Sequence, residues 1–166
     1  EPDLASRPGW LRNESCCLGM ITGWGAHHFD TAHWGMNMEL VAPIRLEGRG
    51  EFPTNQIWNV HGAYHVELTY PGGIRLVVSD QQPTGVKFIG DEGWIFVSRD
   101  AEGATASDPA SRPTSLKPLD ASDERLLDPR GVTVQFPRST SHHRNWLECV
   151  KSRAMPLAPA SIAHNA

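Results

Sequence analysis

The chain has 166 residues and a formal net charge of −4, and this length is enough for one domain with its own core. The mild negative charge and the lack of a basic run argue against nucleic-acid binding, and no apolar stretch approaches the roughly 20 residues of a membrane-spanning helix. Cys16, Cys17 and Cys149 do not form the pattern of a disulfide framework. We therefore expect a cytoplasmic protein, or a periplasmic one exported after folding, whose natural start lies before Glu1.

After a predicted connector over residues 1–18, the segment 19–35 predicts a helix. Glycines crowd its start, at positions 19, 23 and 25, where they would let backbone or ligand approach closely. In helical projection one side carries Trp24, His27, His28, Thr31 and Trp34. The other side carries Ala26, Phe29, His33 and Met36. A helix that is apolar on both sides is predicted to be buried, and its polar groups then need partners.

The histidines of this helix do not have the spacing of a metal site. A helical metal pair needs ligands four residues apart, whereas His27, His28 and His33 are separated by one, five and six residues. His61 and His65 are four apart, but they fall in a predicted strand, where four residues span roughly 13 Å. We predict no metal site, and each helical histidine is either a packed core residue or a functional group.

Alternating apolar residues predict strands through the middle of the chain. Tyr64, Val66, Leu68 and Tyr70 alternate with polar residues, which is the pattern of a sheet with one covered face. Turn residues at 71–73 and 90–93 predict two hairpins. The predicted strands span residues 38–52, 57–70, 74–79, 86–89 and 94–97.

The last third of the chain predicts a surface excursion followed by a helix. Residues 101–130 are rich in Ala, Ser, Asp and Pro, and within them 123–127 predict one helical turn. Three potential N-caps at 139–141 open a helix that runs to about residue 153. Its predicted buried stripe consists of Trp146, Leu147, Cys149 and Val150. The sequence as a whole predicts an α+β fold, with an open, mostly antiparallel β-sheet and helices packed on one face.

Four stretches of the chain carry a family resemblance. They span residues 20–35 (Met-Ile-Thr-Gly-Trp-Gly-Ala-His-His-Phe-Asp-Thr-Ala-His-Trp-Gly), 64–74, 85–97 and 142–153. In this order they resemble the second domain of the glucose–fructose oxidoreductase / inositol dehydrogenase / rhizopine-catabolism (Gfo/Idh/MocA) family. The resemblance implies that residues 19–166 form a C-terminal substrate-binding and oligomerisation domain.

The resemblance also implies a cofactor and a reaction for a longer parent protein. The family carries its dinucleotide-binding Rossmann domain before this one, and the present chain contains no G-x-G-x-x-G turn. NAD or NADP is therefore expected in the full-length parent and not on this chain alone. The implied reaction is hydride transfer between a sugar or polyol carbinol and the nicotinamide.

Seven residues are candidates for the substrate site. By alignment with the family's His-x-x-Asp pattern, His27 matches the catalytic histidine, which suits proton exchange near neutral pH. Gly23 stands where many members carry an aspartate that contacts substrate. The expected substrate-binding residues are Trp24, His28 and Thr31 on the first helix, and His142, His143 and Arg144 at the start of the last. The last three have a second interpretation, in which they cap and solvate their helix.

Two alternatives to an oxidoreductase domain stay open. One is a non-catalytic interaction module that assembles through its sheet, and the other is a related sugar enzyme performing elimination or hydration through a keto intermediate. In either the oxidoreductase or the module, we expect a homo-oligomer through the open face of the sheet. Val77 interrupts the polar side of its strand and marks that face.

Overall fold

The structure, a computed structural model, describes residues 9–54, 57–98, 114–134 and 136–165. Within these ranges the helices are α1 (Trp24–Gly35), α2 (His142–Ser152) and α3 (Ala160–Asn165). The strands are β1 (Arg45–Gly50), β2 (Tyr64–Thr69), β3 (Arg75–Ser79), β4 (Val86–Gly90), β5 (Gly93–Val97) and β6 (Leu119–Ala121). Antiparallel strands and separate helices confirm the predicted α+β class.

The strands form two small antiparallel sheets where the sequence analysis expects one. The first has the order β1-β2-β3 and the second β4-β5-β6. The predicted turns explain the local pairing: Pro71–Gly73 joins β2 to β3, and a tight turn pairs Gly90 with Gly93 between β4 and β5. Among the described residues, no strand of the first sheet pairs with a strand of the second. The six strands therefore do not form one continuous sheet.

The first sheet has one apolar and one charged face. Because cross-strand partners share a face, Leu46, Leu68 and Leu76 lie together, and Val66 and Val78 extend that apolar face. None of these five side chains is fully buried. The opposite face carries the charged residues, and Val77 lies there opposite Glu67. Val77 is thus an isolated apolar residue on a charged face.

The buried residues of the structure are few. Ala32 and His33 lie on α1, and Tyr70 directly follows β2. Val86 on β4 and Phe96 on β5 are buried in the second sheet, on its two opposite faces. Gly35, at the end of α1, lies so close to β4 that a Cβ there would come within 2.6 Å of the Phe88 ring. One side of α1 is therefore covered by Tyr70 and by β4.

The prediction that both sides of the first helix are buried is wrong. Ala32 and His33 are buried, whereas His27 is exposed and Trp34 is 47% exposed. The physical reason is that Tyr70 and the β4 strand cover only the His33 side. The sequence periodicity indicates two apolar sides of α1, and in the structure other residues pack against only one of them.

The predicted buried stripe of the last helix is also wrong. Trp146 is 60% exposed, Leu147 is 51% exposed and Val150 is 47% exposed, while Cys149 is partly buried beneath the segment that follows. The helix itself is confirmed, and Ser141 caps it by accepting a hydrogen bond from the Arg144 amide. Among the described residues α2 has no extensive packing contact with α1 or with either sheet, so its apolar side is left uncovered.

The predicted surface excursion 101–130 is only partly visible, since residues 101–113 lie outside the described ranges. Its second part adds β6 to the edge of the second sheet. The predicted helical turn is present as a 3₁₀ turn, Glu124–Leu127, which Asp123 caps through the Arg125 amide. The connector 1–18 is described from residue 9, where a 3₁₀ turn, Gly9–Arg12, begins.

Candidate functional site

The exposed side of α1 holds four of the predicted site residues together. The Trp24 and His27 rings meet edge to face with centroids 5.7 Å apart, and the His28 ring lies 6.4 Å from Trp24. The His28 Nδ1 atom lies 3.1 Å from the Trp24 carbonyl oxygen. The Thr31 hydroxyl donates a 2.8 Å hydrogen bond to the His27 carbonyl oxygen. Helical spacing thus produces one aromatic and imidazole surface, which we call the His27 surface (Trp24, His27, His28 and Thr31).

His27 is the most accessible imidazole of this surface. Its side chain is exposed, while Trp24, His28 and Thr31 are half-buried. Within the described part of the chain no hydrogen bond or ion pair engages the His27 ring; its neighbour is the Trp24 indole. An accessible, uncommitted imidazole is able to accept or donate a proton to a molecule placed beside it.

His33, on the opposite side of α1, has a structural environment. Its Nε2 atom lies 2.7 Å from the Tyr70 hydroxyl oxygen, and the two rings meet edge to face. Burial lowers the pKa of His33 below its ordinary value, and Asp30 and Glu39 oppose this with smaller effects. Burial likewise raises the pKa of Tyr70. The pair is therefore an uncharged, buried hydrogen bond between α1 and Tyr70, which directly follows β2.

His142, His143 and Arg144 lie elsewhere in the fold. All three are exposed in the first turn of α2, which has no extensive packing against α1 among the described residues. One contact between the N-terminal and C-terminal regions is that of the Trp34 and Phe136 rings, with centroids 4.3 Å apart. The structure therefore groups the predicted site residues in two places, and brings only the α1 set together.

His61 is a neighbour of this region that the sequence analysis did not assign to the site. Its Nε2 atom lies 3.4 Å from the Ile21 amide, and a Cβ on Gly19 would come within 2.6 Å of that atom. Gly19 has a φ of 89°, a conformation that favours glycine. The close approach predicted for these glycines thus occurs, and its partner is the His61 side chain. The glycines at 19, 23 and 25 predict a close approach at this point, but they do not identify His61 as the residue that approaches.

Neither a metal cluster nor a membrane helix occurs in the described part of the chain. No group of three or more His, Cys, Asp or Glu side chains is arranged to hold a metal ion. No helix is long and apolar enough to cross a membrane. The chemistry that this surface offers is that of imidazole, indole and hydroxyl groups.

Comparison with known proteins returned no relative: no family model, curated protein or solved structure matches the chain. The Gfo/Idh/MocA resemblance accordingly stays a prediction based on the four sequence stretches.

Proposed function

We propose that this chain is the C-terminal substrate-binding domain of an NAD(P)-dependent oxidoreductase that acts on a sugar or polyol. The observation that supports the proposal best is the difference in environment between two histidines of α1. His33 is buried with Tyr70, whereas His27 is exposed beside Trp24 and has no hydrogen-bond partner for its ring among the described residues. The residue that matches the family's catalytic histidine is thus the one that is accessible.

The His27 surface fits the chemistry of a carbinol substrate. In oxidation a base must take the hydroxyl proton while hydride leaves the same carbon, and an accessible imidazole is a base suited to that step. The Trp24 indole offers an apolar face for the C–H side of a sugar ring, and the Thr31 and His28 side chains lie within the same surface. These roles make the surface one half of a site.

The other half must hold the nicotinamide. A dinucleotide needs a glycine-rich turn at a helix N-terminus, and the sequence contains no G-x-G-x-x-G. In the proposed parent a separate N-terminal Rossmann domain binds NAD or NADP and presents it to the exposed side of α1. The exposed position of His27 is consistent with a site completed by another domain.

Calorimetric titration of the isolated chain with NADH and NADPH tests this division of labour. We expect no binding to the chain alone. The full-length parent should bind one of the dinucleotides and reduce NAD or NADP in the presence of a polyol panel. Micromolar dinucleotide binding to the isolated chain, or a parent that binds neither dinucleotide, would overturn the proposal.

A second candidate is a non-catalytic assembly module, and the exposed apolar residues favour it. The apolar face of the first sheet includes Leu46 at 65% exposure, and the uncovered side of α2 carries Trp146 at 60% exposure. Apolar faces of this kind often mark interfaces between proteins. A natural gene that begins immediately before Glu1, with no dinucleotide-binding segment upstream, would favour the module over the enzyme.

A homo-oligomer is expected for both candidate functions, the oxidoreductase domain and the assembly module. The face with the larger continuous apolar area is that of Leu46, Val66, Leu68, Leu76 and Val78, whereas Val77 lies among charged residues. In either candidate a face-to-face contact between subunits would therefore use the former face, and a Val77→Lys substitution should leave that contact intact.

A further inference from the structure

Strand β1 lies at a free edge of the first sheet, as far as the described residues form it. It pairs with β2 on one side only, and all six of its residues are exposed. A free edge presents unpaired backbone N–H and C=O groups that another strand can use. Within the described ranges, neither a proline nor a covering helix shields this edge over Arg45–Gly50.

The charged residues of β1 are not complementary to the residues that lie opposite them on β2. Glu47 lies directly opposite Glu67, and like charges in that position are unfavourable. Glu67 instead makes hydrogen bonds with the His65 imidazole and the Arg75 guanidinium, which lower the pKa of its carboxyl group. Arg49 lies opposite His65. Its guanidinium has no ion pair within the described residues, and neither has the Glu51 carboxylate.

The charged residues of β1 are complementary to those of a second, antiparallel copy of the same strand. Along one face of the edge the order is Arg45, Glu47, Arg49 and Glu51, with alternating signs. If two copies of this strand run antiparallel with Gly48 opposite Gly48, each Arg45 faces Glu51 of the second copy. Each Glu47 then faces Arg49 of the second copy. Four ion pairs of opposite sign result.

The apolar face matches in the same register. Ile44 falls opposite Phe52 of the second copy, and Leu46 falls opposite Gly50, over which the Phe52 ring lies. Ile44 is 72% exposed, Leu46 is 65% exposed and Phe52 is 67% exposed. Two glycines at the centre let the backbones meet without side-chain obstruction.

Other registers between the two copies of β1 pair the charged residues less well. A shift that places Glu47 at the centre sets Arg45 opposite Arg49, and one that places Arg49 at the centre sets Glu47 opposite Glu51. A shift that centres on Leu46 keeps Arg45 opposite Glu47 but leaves Arg49 opposite Pro43. Only the register centred on Gly48 pairs all four charged residues.

We propose that β1 pairs antiparallel with β1 of a second copy about a two-fold axis at Gly48, so that two three-stranded sheets become one six-stranded sheet. The Arg45–Glu47 pair within one strand is 2.7 Å long and two-thirds exposed. An ion pair so exposed contributes little and is readily exchanged for pairs across the axis. This edge contact is independent of the proposed enzymatic function.

A charge-swap experiment on the full 166-residue chain tests the register. Sedimentation velocity over roughly 1 to 200 µM, which spans micromolar dissociation constants, should show a monomer–dimer equilibrium for the wild type. Arg49→Glu sets two pairs of glutamates against each other and should raise the dissociation constant about tenfold or more. The double variant E47R/R49E restores opposite charges in that register and should recover dimerisation.

Two controls separate edge pairing from other effects. Arg138→Glu makes the same change in charge at an exposed site outside the strand and should leave the dissociation constant unchanged. Amide exchange in Arg45–Gly50 should slow as the wild-type concentration rises and should not slow for Arg49→Glu. A chain that is monomeric throughout, a dimer insensitive to Arg49→Glu, or a double variant that fails to recover would each overturn the proposal.

Discussion

The Nε2 atom of His33 lies 2.7 Å from the hydroxyl oxygen of Tyr70, and this hydrogen bond connects the last turn of α1 to the end of β2. Tyr70 is 1% exposed and His33 is 5% exposed. The other ring nitrogen, His33 Nδ1, is buried without a hydrogen-bond partner among the described atoms. The orientation of the His33 ring therefore depends on Tyr70.

Tyr70→Phe should lower the free energy of unfolding by about 1–3 kcal/mol, the usual cost of a buried polar group that loses its partner. Urea denaturation followed by circular dichroism measures the change. A double-mutant cycle with His33→Phe is the control, because removal of both partners leaves no orphaned group. If the two substitutions are additive, the contact does not contribute to stability.

The same pair predicts a pH dependence. Burial lowers the pKa of His33 below its ordinary value of 6.5. Below that pH the unfolded chain binds a proton that the folded chain resists, so stability is fully present above 6.5 and falls as the pH drops towards the folded pKa.

Urea midpoints at about pH 7.5 and pH 5 should therefore differ, with the lower value at pH 5. His33→Phe removes this titration, so the difference between its two midpoints should be smaller than in the wild type. An equal difference in both proteins would mean that other groups carry the pH dependence.

Local signals in the sequence predicted the elements well. The proline and glycines of Pro71–Gly73 fix one hairpin, and glycines at 90 and 93 fix the other. Ser141, one of the three predicted N-caps, starts α2. Each of these signals acts between residues close in the chain, where turn and cap chemistry decides the structure.

Burial was harder to predict because it depends on residues distant in sequence. The helix pattern shows that α1 has two apolar sides, but only the positions of Tyr70 and Phe88 decide that the His33 side is covered. For α2 the pattern gives an apolar stripe with Trp146 at its centre, and no other described element supplies a surface against it. The division of the strands into two sheets likewise depends on long-range pairing.

Gly85→Ala should destabilise the second sheet by about 2 kcal/mol or more, because it combines backbone strain with overpacking. Gly85 has a φ of 147°, and a Cβ there would come 2.6 Å from the Phe96 ring and 2.7 Å from the Val97 carbonyl oxygen. Gly90→Ala is the matched control, since nothing lies within 4 Å of a Cβ at that position. Thermal unfolding should show a clear loss for the first variant and little change for the second. Equal melting temperatures would contradict the packing around Phe96.

The two histidines of α1 should respond to substitution in opposite ways. In the full-length parent, His27→Ala should lower turnover by about 10²- to 10⁴-fold, the usual effect of losing a general acid–base group. Its stability should change little, because the His27 side chain is exposed. His33→Ala should instead lower stability, because it removes a buried ring and leaves the Tyr70 hydroxyl unpaired. Turnover assays and urea denaturation of both variants separate the roles. Full activity in the folded His27→Ala protein would remove His27 from the reaction and favour the assembly module.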